Sequence, residues 1–254
     1  MPREANLTAI QRAQAAWLWS RRRGVLAGLS AAAVLGAKWI DSDVAAELIH
    51  TNRRPPPLLS MHTDTLLAGE ARTARGLPVT TAARTAFDLG RRLDLIEGVK
   101  RIDALMNATD LKVVDVVGVA EAHPGARGLR QLETTLRHVD GGAESPYESL
   151  TRLILVQAGF PCPQTQIPVY DRFGYLIARI DMGWNEYLVG VDFEGAHHWT
   201  DPRQRERDAE RYNVLPELGW IDIRATSRML HVAPERFLER VGASLVSRGC
   251  PRTW

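Results

Sequence analysis

The sequence predicts an α/β protein in two parts: a mostly helical N-terminal region with some strands over residues 1–141, and a C-terminal domain over 142–254. Three observations predict it. Between Gln164 and Phe193, short runs rich in β-branched and aromatic residues are separated by turn signals at Asp171-Arg172-Phe173-Gly174 and Asn185-Glu186. Around that block stand stretches of helical period, one opening at Pro146 and one over Pro234 to Val246. Upstream of Asp140-Gly141-Gly142, a turn-forming triplet that marks a domain boundary, the periodicity is mainly helical.

A chain of 254 residues is long enough for two modest domains with their own cores. Its 45% hydrophobic and 24% charged residues are those of a folded globular protein and exclude a disordered class. A net charge of +2 gives no global attraction to nucleic acid, so any phosphate-binding surface must be local. The basic clusters are Arg21-Arg22-Arg23, Arg53-Arg54, Arg91-Arg92 and Arg203 to Arg211, and for each a solvated face is the ordinary explanation. Cys162 and Cys250 are too few for a metal motif and fit a reduced, cytoplasmic setting. The apolar stretch from Val25 to Ile40 is too short to span a bilayer and is interrupted by Lys38. It is expected to be buried in a soluble protein, with no membrane partner.

Taken in order, Ile10 to Trp19 has helical spacing, with Ala13, Ala16 and Trp17 on one side. A second helix is expected with Ser30 as N-cap and Gly36 near its end. Val44 to Leu48 is a short strand or helix, and Arg53-Arg54-Pro55-Pro56-Pro57 an extended connection. Gly76 to Thr81 ends a strand and caps a helix through Leu89. Helices follow over Leu93 to Met106, Val113 to Ala122 and from Gly128, the last with Leu129, Leu132 and Leu136 on its apolar face. The Gly76–Leu89 piece, with Val25 to Ala32, is similar to the C-terminal part of antitoxins of the abortive-infection type IV toxin–antitoxin class, over roughly residues 10–105. Many such chains carry a winged helix-turn-helix further upstream, and residues 1–24 are too short to hold one. That resemblance implies a protein partner or homo-oligomer.

In the C-terminal part Ser145 is placed as N-cap, Pro146 at the first helical position and Glu148 at the third, a capping-box spacing that by itself accounts for Glu148. Strands are expected over Gln164 to Tyr170, Tyr175 to Met182 and Tyr187 to Phe193, then a charged helix from Asp201 to about Leu218. A strand over Trp220 to Ala225 and a helix over Pro234 to Val246 complete the order αβββαβα.

The chemistry concentrates between Ala178 and Trp199. If the second and third strands form a hairpin, Asp181 lies on one arm and Asp192 and Glu194 on the other. Side chains alternate, so Asp192 and Glu194 share a face with Phe193 opposite. Three carboxylates are then expected to converge. Buried like charges repel, and a hard divalent cation, Mg²⁺ or Mn²⁺, is the usual remedy.

Ile180-Asp181, followed by Val189-Gly-Val-Asp-Phe-Glu-Gly-Ala-His-His198, resembles the PD-(D/E)XK nuclease superfamily. The span from Glu148 to about Val246 resembles the small bacterial nuclease-like domains related to very-short-patch mismatch-repair endonucleases, whose string is close to V-x-V-E-Y-D-G-x-x-H. Where the superfamily carries Lys, this chain has Glu194. The resemblance implies a metal-dependent DNA endonuclease that hydrolyses a phosphodiester bond, nicking or cutting. It assigns Asp181 and Asp192 as metal ligands, and adds for Glu148 an acidic role from the first helix, directly or through water. Glu194 would bind a second ion or orient water, and His198 would assist proton transfer or hold phosphate. Arg203, Arg207 and Arg211 share a helix face at four-residue spacing, able to pair with interleaved acids or to track a DNA backbone. The rival expectation is a non-catalytic DNA-binding or antitoxin-like regulatory protein with a degenerate nuclease fold.

Overall fold

In the N-terminal part, local caps decide where the helices begin. The computed structural model describes residues 7–51, 54–195 and 214–254, and the chain divides into two units, Met1–Glu144 and Ser145–Trp254. Helix α1 (Ala9–Trp19) opens on a capping box between Thr8 and Gln11. Strand β1 (Val25–Leu26) leads into α2 (Gly28–Leu35), which starts ahead of the expected Ser30 cap. The reason is tertiary: Glu47 reaches across from β2 (Ala46–Ile49), and its Oε1 accepts from Leu29 N at 2.7 Å. Ser30 Oγ accepts instead from Glu47 N at 2.9 Å. Gly28 has φ +51°, and a Cβ there would lie 2.3 Å from Glu47 Oε1, so glycine makes this cap possible.

The ambiguous Val44–Leu48 stretch resolves as strand β2, because Ala46 and Leu48 alternate inward against Leu26 and Val79. With β3 (Leu59–His62), β4 (Ala71–Ala74) and β5 (Leu77–Thr80), it forms a mixed five-stranded sheet in the order β3-β2-β1-β5-β4. These strands are two to four residues long, which is why sequence periodicity recovers few of them. Thr81 caps α3 (Ala82–Arg92), and α4 (Leu95–Ala108), α5 (Val113–Ala122) and α6 (Leu129–Leu136) follow. Their shared core is built on Phe87, Leu89, Ile102, Leu105 and Leu132.

The second unit begins at α7 (Pro146–Gln157), capped by Ser145 Oγ, which accepts from Glu148 N at 3.2 Å. Strands β6 (Gln164–Tyr170), β7 (Leu176–Trp184), β8 (Val189–Glu194) and β9 (Ile221–Thr226) form a sheet in the order β6-β7-β8-β9. The first three are antiparallel, and β9 runs parallel to β8. The Asn185-Glu186 turn is wider than expected: a 3-10 turn covers Asn185–Tyr187 and Leu188 takes φ +52°, so β8 starts at Val189. Residues 214–217 are helical, and the rest of the charged helix expected from Asp201 lies outside the described residues. Helix α8 (Ser227–Val232) was not expected from the pattern; Thr226 Oγ1 caps it by accepting from Met229 N at 3.3 Å. Helix α9 (Pro234–Ser247) closes the unit. Among the described residues no helix is long and apolar enough to cross a membrane.

Two apolar clusters flank this sheet. On one face Met182, Trp184, Val189, Val191 and Ile223 pack with Leu150 and Leu155 of α7 and Phe237, Val241 and Leu245 of α9. The other cluster joins Ile167, Val169, Ala178 and Ile180 to Leu215 and Trp220. Every element supports α/β architecture.

Candidate functional site

Regular alternation would put Ile180 and Met182 on the same face of β7. They belong to different clusters. Gly190 settles the matter, because it lies between Val189 and Val191 and therefore faces away from their cluster. A Cβ built there would meet Ile180 Cγ2 at 2.8 Å, so Ile180 lies on that opposite face. The strand changes faces at Asp181. Its neighbour does the same: pairs Thr165↔Met182 and Ile167↔Ile180 leave Gln166 opposite Asp181, and Gln166 takes φ +54°. Irregular strand residues of this kind re-aim side chains.

At the same kink β7 meets β8. The pair Met182↔Val191 puts Asp181 opposite Asp192 at the next step. Their carboxylates exchange places with the missing ladder bonds. Asp181 N donates to Asp192 Oδ1 at 2.8 Å, and Phe193 N donates to Asp181 Oδ2 at 2.8 Å. Phe193 turns to the opposite side and stacks on Tyr147 of α7, ring centroids 4.4 Å apart and nearly parallel. On the far side of β8 the register pairs Asp192 with Arg224 of β9. A transverse row therefore crosses the sheet: Gln166, Asp181, Asp192, Arg224.

Glu148 joins this row through Gln166. Ser145 caps the backbone N–H of Glu148, while the Glu148 side chain turns to the sheet and its Oε2 accepts from Gln166 Nε2 at 3.1 Å. Glu148 and Asp192 are buried. Glu194, half-buried at the end of β8, stands two residues beyond Asp192, in register with Thr226. Thus Asp181 and Asp192 come together, Glu148 bonds the residue opposite Asp181 in register, and Glu194 sits past the pair. Among the described residues, no three His, Cys, Asp or Glu side chains gather closely enough to hold one metal ion. In place of the expected convergence of three carboxylates stands the Asp181–Asp192 pair, with the Glu148–Gln166 bond at the neighbouring strand position. His198, Arg203, Arg207 and Arg211 lie outside the described residues.

Gln166 was invisible to sequence reasoning. A Gln inside a β-run carries no periodic signal, and only the strand register reveals that it faces Asp181.

The first unit holds a different polar cluster. Arg84 is 1% exposed and Asp88 is fully buried. Arg84 Nε donates to Asp88 Oδ2 at 3.0 Å, and its Nη1 donates to Thr65 O at 2.9 Å and to Glu70 Oε2. His123 Nε2 lies 2.5 Å from Glu70 Oε1. Arg91 donates to Asp88 Oδ1 at 2.7 Å and to Asp64 Oδ1, and Arg92 Nη2 lies 2.9 Å from Asp64 Oδ2. The Arg91-Arg92 pair is therefore part of an internal ion network, which overturns its reading as a solvated face. Burial works to raise the carboxyls of Glu70 and Asp64. For Glu70 the Leu67 N–H, His123 and Arg84 more than offset it, and for Asp64 the Arg92 and Arg91 guanidiniums do. Both carboxyls end below their usual range.

No family model matches the chain, and no solved structure matches it. Two uncharacterized proteins of Mycobacterium tuberculosis, from strains CDC 1551 / Oshkosh and ATCC 25618 / H37Rv, are each 24% identical to it over 220 residues, covering 87% of this chain and 81% of theirs. A match of that length spans both units.

Proposed function

We propose that the second unit is a Mg²⁺- or Mn²⁺-dependent DNA endonuclease of the cytoplasm, resembling the very-short-patch-repair branch of the PD-(D/E)XK superfamily. The observation that carries this reading is the Asp181–Asp192 pair, opposed across β7 and β8 at the kink and joined to Glu148 through Gln166. The donors available there are all oxygens. Two carboxylates plus substrate phosphate oxygens suit Mg²⁺, which rarely takes an all-protein cage. The fit also has a structural sign: Gln166 Oε1 is buried with no hydrogen-bond donor among the described residues, and a cation or its water would satisfy it.

When bound, the cation supplies charge stabilisation at the scissile phosphate and lowers the pKa of water. The protein's own groups set the geometry. Asp181 and Asp192 are held in place by reciprocal main-chain bonds, so they need not reorganise on binding. Glu148 holds the Gln166 amide and by the resemblance would serve the ion directly or through water. Arg224 contributes a guanidinium to the row, the group type that matches phosphate in two-pronged fashion. By the resemblance Glu194, at the end of β8, would bind a second ion or orient water, His198 would manage a proton, and Arg203, Arg207 and Arg211 would follow the DNA backbone.

A second reading has its own support. The carboxylates replace ladder bonds at the kink, a structural task that a degenerate nuclease fold would retain, and Glu194 occupies the usual Lys position. In that case the chain is a non-catalytic DNA-binding or antitoxin-like regulatory protein. A supercoiled-plasmid assay with Mg²⁺ or Mn²⁺ separates the two. Relaxed or linear plasmid with the wild-type chain, abolished in Asp181→Asn, supports the enzyme. Plasmid that stays supercoiled across both metals supports the second reading.

A further inference from the structure

The mid-strand position of Gln166 is odd on three counts. Its φ of +54° lies in the left-handed region, which a side chain other than Gly, Asn or Asp seldom adopts. The flanking pairs Thr165↔Met182 and Ile167↔Ile180 keep one register on either side, so no inserted residue explains the backbone. One end of its amide is engaged and the other is not: Nε2 donates to Glu148 Oε2 at 3.1 Å, while Oε1 is buried with no donor among the described residues. The orientation of the amide follows from chemistry, since an ionised carboxylate can only accept.

Strain of this kind persists where surrounding structure over-determines it, and it collects at functional sites. A glycine at this position would satisfy the same backbone at lower cost. What glycine lacks is the amide. We infer that Gln166 is a positioning residue of the acidic site: its left-handed backbone aims the amide so that Nε2 fixes the Glu148 carboxylate beside the strand position that stands opposite Asp181. This role rests on the metal-site reading above and gives Gln166 a task of its own within it. Gln166 acts through Glu148, and it is not assigned contact with the scissile phosphate.

The inference separates the backbone from the side chain, and so does its test. Gln166→Gly keeps the left-handed backbone and deletes the amide. In the full-length protein it is expected to melt at or above the wild-type temperature, while Mn²⁺ affinity, read by calorimetry without DNA, falls about 10- to 100-fold as for other residues that orient ligands. If the effect passes through Glu148, Gln166→Gly placed on Glu148→Gln should weaken Mn²⁺ binding by less than about twofold more. Wild-type Mn²⁺ affinity in Gln166→Gly overturns the role, as does a melting temperature that falls together with affinity, because the residue would then be structural. Fully additive losses in the double variant also overturn it. A wild-type chain that binds no Mn²⁺ overturns the metal-site reading itself, an outcome distinct from a binding wild type with an indifferent Gln166→Gly.

Discussion

The two units bury carboxylates by different means. In the first, Glu70, Asp88 and Asp64 are matched by guanidinium groups of Arg84, Arg91 and Arg92, an internal ion network on helix α3. In the second, Asp181 and Asp192 each accept a main-chain N–H across a kinked hairpin, and Glu148 accepts an amide. Guanidinium pairing neutralises charge and leaves a carboxylate committed. Main-chain and side-chain amides instead fix the direction in which a carboxylate points. The comparison teaches that burial of acids is not by itself a mark of function; in one unit helix guanidiniums hold them, and in the other backbone bonds at a strand kink aim them.

The largest expected effect lies in the first unit. Arg84→Met takes the guanidinium from Glu70 and leaves Asp88 to Arg91 and Arg92, and breaking a buried pair in this way costs about 3–5 kcal/mol. Urea denaturation followed by circular dichroism should show the first-unit transition shifted by that amount. A shift under about 1 kcal/mol would mean that the network contributes little and the contrast with the second unit is false. A smaller effect comes from pH. The Glu70 and Asp64 carboxyls lie below their ordinary values of 4.5 and 3.8 in the folded chain. Stability from them is therefore complete above pH 4.5 and is lost as pH falls through the lower folded values. The melting temperature of the first unit should stay level down to that point and drop below it. A drop already present at pH 6 would place the responsible group elsewhere.

Much of this contrast was absent from the sequence. The four strands of the second unit and its first and last helices were legible because β6 to β9 are long enough to show β-rich runs between turn residues, and because Ser145-Pro146 marks a helix start. Of the five strands of the first unit, only β5 was expected as a strand and β2 as one of two alternatives, since runs of two to four residues show little period. Arg91 and Arg92 looked like surface charge because one carboxylate partner, Asp64, lies far away in the chain and the near one, Asp88, gives no sign of its burial in the sequence. Asp181 and Asp192 were visible as a hairpin pair. The change of faces at Asp181, and with it the place of Gln166, depends on register and on the glycine at 190, which periodicity does not encode.

The smallest expected effect on stability coincides with the largest on ligand binding. Asp181→Asn keeps an oxygen to accept from Phe193 N and relieves repulsion with Asp192, so folding stability should stay within about 1 kcal/mol of wild type. Calorimetric titration of Mn²⁺ into the wild-type chain and into Asp181→Asn is therefore the most direct measurement. The account predicts saturable binding to the wild type and none to the folded variant. Equal heats from both proteins, or no binding to either, would contradict it.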